Sequence, residues 1–172
     1  ITVNGFSKAF AMTGWRLGYM AGPEWIVKAA RKIQGQTTSA PSSISQHAGL
    51  AALDMDHGQI QEMVDSFRER RDFMLQALGE IPGVVCPKPD GAFYLFPDVS
   101  AYYGMLTPDG DLIEDDEAFC IYLLEKCHVA LVPGGAFGDP NGVRISYAAS
   151  RDELEEAMRR IKAGISALRN RT

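Results

Sequence analysis

At 172 residues, with 46% hydrophobic and 23% charged side chains, the chain has an ordinary globular make-up and enough length for a substantial core. Its net charge of −5 is spread without a basic stripe, which argues against a nucleic-acid partner, and no apolar run approaches the roughly 20 residues of a membrane-spanning helix. Cys86, Cys120 and Cys127 are odd in number and lack metal-ligand spacing, so they read as reduced thiols in a cytoplasmic setting, with Cys120 and Cys127 as small core residues of one helix. A metal set drawn from Cys127, His128, His47 and His57 is the alternative. No signal-peptide pattern is read at the start.

Residues 1–3 read as a short buried strand and residues 16–22 as a second, closed by the Gly22-Pro23 breaker. A helix is predicted over 24–35, with Pro23 near its first turn and Ile26, Val27, Ala30 and Ile33 at helical spacing. The polar run 36–43 ends in serines suited to cap an alanine-rich helix over 44–53. Over 58–78, Ile60, Met63, Phe67, Met74, Leu75 and Leu78 form one stripe opposite a charged, solvated face. Beyond Pro82-Gly83 the pattern turns to strands, at 84–85 and 92–96, joined through the Asp90-Gly91 turn signal. An irregular acidic loop over 98–114 is followed by a helix over 116–127 and strands over 129–132 and 143–147. The last helix begins after Ser150, with Glu153 completing a capping box, and carries Leu154, Met158, Ile161, Ile165 and Leu168 on one side.

The most informative stretch is Ser7-Lys8-Ala9-Phe10-Ala11-Met12-Thr13-Gly14-Trp15-Arg16-Leu17-Gly18-Tyr19. On composition alone, a lysine and an arginine near a glycine turn fit a solvated surface loop. Against that, Phe10, Met12, Trp15 and Leu17 leave little polar surface, and Gly14 and Gly18 admit close backbone approach. Burial disfavours an ammonium ion, and the neutral amine is the form that condenses with an aldehyde. Ser7 and Arg16 add a hydroxyl and a guanidinium suited to a phosphate. An amine beside a phosphate cradle suggests pyridoxal 5'-phosphate. Farther on, Arg144 lies in a strand-like setting, where a buried guanidinium needs an anion, supplied by a ligand or by an acid such as Asp139 or Asp152.

The string N-G-F-S-K-A-F-A-M-T-G-W-R-L-G-Y-M-A-G-P resembles the lysine segment of class I pyridoxal-phosphate aminotransferases, in the branch containing prokaryotic aspartate aminotransferases. P-K-P-D-G-A-F-Y-L-F at 87–96, V-P-G-G-A-F-G at 132–138 and V-R-I-S-Y-A at 143–148 resemble later motifs of the same family, in its order and spacing. The resemblance implies an α/β fold of type I: residues 1–57 as the C-terminal part of the large cofactor-binding domain, residues 58–172 as the small α+β domain. It also implies that the chain is the C-terminal part of a longer enzyme, with little activity by itself. In the resembled family Lys8 carries the cofactor and shuttles the proton, Ser7 and Arg16 bind its phosphate, and Arg144 binds the substrate α-carboxylate.

Phe137 is expected beside the substrate or in ordinary packing, Thr37 to Ser39 near a neighbouring subunit's site, Trp15 and Tyr19 in the core. Gly91 and Gly134 are expected to serve backbone geometry. The implied reaction is transfer of an amino group from an L-amino acid, foremost L-aspartate, to 2-oxoglutarate by a cytoplasmic homodimer that holds no metal. Aromatic, alanine or prephenate aminotransferases, a carbon–sulfur lyase on the same fold, and the effector-binding domain of a transcription regulator are the alternatives.

Overall fold

Two antiparallel strands frame the lysine loop. β1 (Thr2–Gly5) pairs with β2 (Gly18–Ala21) in the register Thr2↔Ala21 to Gly5↔Gly18. A Cβ at Gly18 would stand 3.0 Å from the Asn4 carbonyl oxygen, so this position needs its glycine. Gly14, by contrast, faces open space. The coordinates are a computed structural model that describes residues 1–171, the side chain of His57 excepted. The chain divides into two units, Ile1–Val64 and Asp65–Thr172.

In the first unit the strand expected at the start is present but not buried: Ile1 and Val3 are 71% and 77% exposed. A two-stranded ribbon has only its own partner to cover it, and α1 (Glu24–Thr37), which follows, has no buried residue. Ile33, expected on the packed side of that helix, is exposed. Trp15 and Tyr19 are nearly half exposed and so are not core residues, although the Tyr19 ring touches that of Phe6 at 5.7 Å. α2 (Ser43–Leu53) follows a loop in which Ser42 stands at the cap position without a capping hydrogen bond. Instead, Gln46 Nε2 donates to the Pro41 carbonyl at 2.9 Å. A small core gathers Phe6, Met12 and Ala52, with Phe10, Leu17, Ala48 and Met55 packed against it. Gly49 of α2 leaves the space that Leu17 and the Phe6 ring fill, and this holds the lysine loop against α2.

α3 (His57–Gly79) contains the break between the two units. In the second unit β3 (Tyr94–Leu95), β4 (Val132–Pro133) and β5 (Val143–Ser146) form an antiparallel sheet in the order β3-β5-β4. Its core joins Met74 and Leu78 to Leu95, Val143, Ile145 and Tyr147 of the sheet segments, Phe119 and Leu123 of α4 (Asp116–Cys127), and Leu154, Met158 and Ile161 of α5 (Arg151–Ala167). The two helices approach closely where Gly164 leaves no room for a Cβ beside Cys127, and the buried Tyr122 hydroxyl donates to the Gly164 carbonyl at 2.8 Å. The Ser150–Glu153 capping box is present, and the whole predicted stripe of α5 is buried.

The strands are shorter than predicted, for local reasons. The N–H groups of His128 and Val129 turn back to close the C-terminus of α4, with His128 left-handed at φ 56°, so β4 begins only at Val132. Ala92, at φ 61°, cannot continue an extended strand, so β3 starts at Tyr94. The special backbone geometry expected at Gly91 therefore sits one residue later, at Ala92. Val85 contributes a single bridge to Asp98, and the acidic loop contains a short 3-10 turn, Ser100–Tyr102, whose Tyr102 is buried and donates its hydroxyl to the Pro82 carbonyl. The three thiols are unpaired; burial pushes all of them up, Cys120 to about 12 with help from the nearby Asp116 carboxylate. Among the described residues no group of His, Cys, Asp and Glu is placed to hold a metal; the His57 side chain of the alternative set lies outside them.

Candidate functional site

The loop between β1 and β2 is closed at both ends on one residue. The Phe6 N–H donates to the Leu17 carbonyl at 3.2 Å, and the Phe6 carbonyl accepts from the Met12 N–H at 3.3 Å. Phe6 and Met12 turn inward with Phe10 packed against them, while Lys8, Ala9 and Ala11 stand outward. Lys8 is exposed, contrary to the burial inferred from its apolar neighbours: those neighbours pack beneath the loop or are themselves exposed, as Trp15 is.

Thr13 ties the loop together. Its hydroxyl donates to the Ser7 carbonyl at 2.9 Å, while its own carbonyl accepts from Arg16 Nη1 at 2.9 Å. Thr13 thus links the two residues expected to bind phosphate, and Ala11 and Arg16 adopt left-handed backbone angles, φ 52° and 51°, to make the turn. Among the described residues the Ser7 hydroxyl makes no hydrogen bond and Arg16 meets no carboxylate, so a hydroxyl and most of a guanidinium fork are available beside an amine. That donor set fits an aldehyde bearing a phosphate.

In the second unit Arg144 sits half-buried in β5, the central strand, opposite Val132 of β4. Its guanidinium lies between two rings, 4.4 Å from the Tyr94 centroid and 4.4 Å from that of Phe137. Among the described residues it forms no ion pair with Asp139, Asp152 or any other acid. The two stacked faces leave the N–H edge of the fork for an anion. Phe137 is half exposed and meets Phe96 edge-on at 6.1 Å, which is not the setting of a core residue. It ends the 3-10 turn Gly134–Phe137, in which Gly134 is wedged against the carbonyl oxygens of Asp139 and Gly142 and has no space for a side chain. Among the described residues Thr37, by contrast, bonds only its own helix, to the carbonyls of Ile33 and Gln34.

Thr13, Tyr94 and the buried Asp116 do not stand out in the sequence as site residues. Thr13 carried the one available signal, a hydroxyl in a loop of small residues. Tyr94 meets Arg144 only through strand pairing across fifty residues of chain, which no local pattern encodes.

Residues 1–161 match the model of the family aminotransferase class I and II, and the chain belongs to that family, whose members are pyridoxal-phosphate-dependent. An aspartate aminotransferase of Pinus pinaster is 55% identical over 172 residues, covering 98% of this chain and 35% of its own length. A bifunctional aspartate aminotransferase and glutamate/aspartate-prephenate aminotransferase of Petunia hybrida is 54% identical, covering 98% and 36%. The crystal structure of the aspartate aminotransferase from Rhizobium meliloti superimposes with a TM-score of 0.94 at 50% identity, covering 97% of this chain and 42% of that one. The fold is therefore part of fold type I, and the chain spans 35–42% of the length of these relatives.

Proposed function

We propose that the full-length gene product transfers an amino group between L-aspartate and 2-oxoglutarate with pyridoxal 5'-phosphate as cofactor. In this reading Ser7 and Arg16 bind the phosphate, the hydroxyl rotating to fit and the guanidinium supplying fixed charge. Lys8 Nζ would hold the cofactor and, once the incoming amino group has released it, take a proton from the substrate Cα as a general base and pass it to the cofactor side as a general acid. When bound, the cofactor ring stores the electron pair released at that carbon. Arg144 grips the substrate α-carboxylate through two parallel hydrogen bonds, and Phe137 lies beside it.

The observation that carries the reading is the lysine loop, where Ser7, Lys8 and Arg16 share one turn clasped by Thr13. Residues 1–57 belong, on this reading, to the cofactor-binding domain and 58–172 to the small domain. Three unpaired thiols favour a cytoplasmic setting, and the exposed Trp25, Ile33, Ile44 and Leu50 favour a homodimer that covers them. The name of the Petunia hybrida relative favours prephenate as a second amino acceptor.

The test is borohydride reduction of the cofactor-loaded protein followed by peptide mapping. The label is expected on Lys8, and Lys8→Ala is expected to lose both label and turnover. A label on another side chain, or sustained turnover by the variant, overturns the assignment.

A further inference from the structure

We propose that Asp116 is a positioning residue for the substrate carboxylate: its buried side chain holds the Gly135 N–H and thereby fixes the turn that lays Phe137 on the Arg144 guanidinium. The proposal rests on the reading of Arg144 given above. Asp116 is only 7% exposed, and a buried carboxylate is costly unless hydrogen bonds satisfy it. Helix capping does not account for it, because Asp115 caps α4 by accepting the Ala118 N–H at 2.9 Å. Asp116 Oδ2 instead accepts the Gly135 N–H at 2.6 Å, a short charge-assisted bond across nineteen residues of chain.

The rest of the turn is locked around that bond. A Cβ at Gly135 would lie 3.2 Å from Asp116 Oδ2, so glycine permits the close approach. The Gly138 and Asp139 N–H groups donate to the Gly135 and Gly134 carbonyls at 3.1 and 3.2 Å. Phe137 therefore leaves a fixed backbone, which together with the edge-on contact to Phe96 places its half-exposed ring. Tyr94 covers the other face of Arg144 from the neighbouring strand, so Asp116 controls one of the two walls that set the plane of the guanidinium.

The experiment uses the full-length gene product with Asp116→Ala, Phe137→Ala and the double variant. Two quantities are read: the calorimetric Kd of succinate, an unreactive dicarboxylate, and the ring-current displacement of the Arg144 side-chain resonances. Asp116→Ala is expected to weaken succinate about tenfold, the low end of what a charge-assisted contact to the misaimed Arg144 fork is worth. It is also expected to relax the Arg144 resonances toward unstacked values, and to change the Kd less than about twofold once Phe137 is already absent. Unchanged Arg144 resonances in folded Asp116→Ala, or an undiminished effect without Phe137, overturns the proposal. If the alanine variant does not fold, Asp116→Asn is read the same way. It keeps the shape and loses the charge, so a smaller rise in Kd that again vanishes without Phe137 is expected, and no change in either quantity overturns the proposal. The reading of Arg144 fails separately, if succinate affinity is unaffected by Arg144→Lys while the resonance displacement responds to Asp116→Ala as expected.

Discussion

Arg144→Lys separates what the guanidinium does for the fold from what it does for a substrate. Lysine keeps the charge but loses the planar fork and the ability to lie flat between Tyr94 and Phe137, each 4.4 Å away. The stack exists before substrate arrives, so beyond the aim it gives the fork its loss falls on stability: about 0.5–1 kcal/mol per partly exposed ring, or roughly 1–2 kcal/mol in all. The carboxylate loses the second of two charge-assisted hydrogen bonds, about 1.5–3 kcal/mol, which converts to a roughly ten- to 150-fold rise in KM. On the proposed function both substrates, L-aspartate and 2-oxoglutarate, carry an α-carboxylate, so both KM values are expected to rise together while kcat changes less, the pattern of lost uniform binding. Initial rates with each substrate, set beside a denaturation midpoint, measure the two parts. A variant in which both KM values stay within about twofold of the parent, or in which only one moves, refutes the reasoning.

Gly134→Ala is expected to destabilise the second unit by about 3 kcal/mol, because its Cβ meets two backbone carbonyls that have no flexible end to move aside; chemical denaturation measures it. Ser150→Ala removes the capping box of α5 and is expected to lower stability by about 1 kcal/mol in the same assay. Hydrogen bonds from Arg159 and Arg160 hold the partly exposed Glu156 carboxyl down at about 2, well below the ordinary glutamate range. A depressed folded-state value means the stabilisation is complete above the ordinary range and disappears as pH falls toward 2. NMR titration of Glu156 is expected to show this, with Arg159→Gln and Arg160→Gln returning the midpoint upward.

The elements legible in the sequence were those whose local signals agree with their packing. The helix predicted over 116–127 is α4 from end to end, and the stripe and capping box of α5 announce its buried side and its start. Strand lengths were not legible. The Val129 N–H, read as part of a strand, instead closes the helix before it, and Ala92 takes a backbone angle that side-chain preference would assign to Gly91. Burial near the chain start is not legible, because a run of apolar letters does not say which of them face inward. Phe6 and Met12 do; Trp15, Tyr19 and Val3 do not. Of the candidate site, Lys8, Ser7 and Arg16 could be named because they are neighbours in sequence. The Tyr94–Arg144–Phe137 stack and the Asp116 contact behind it are products of strand pairing and a tight turn, and they become visible only once the chain is folded.

Ala11 and Arg16 take up the left-handed angles beside Lys8 at about 1–2 kcal/mol each relative to an ordinary conformation. Glycine at position 11 would relieve that strain and, after the greater freedom it gives the unfolded chain, leave the protein slightly sturdier. It would also let the segment sample other shapes and carry the amine off its aim. If Lys8 carries the cofactor as proposed, resistance to unfolding and fitness for chemistry pull in opposite directions at this bend.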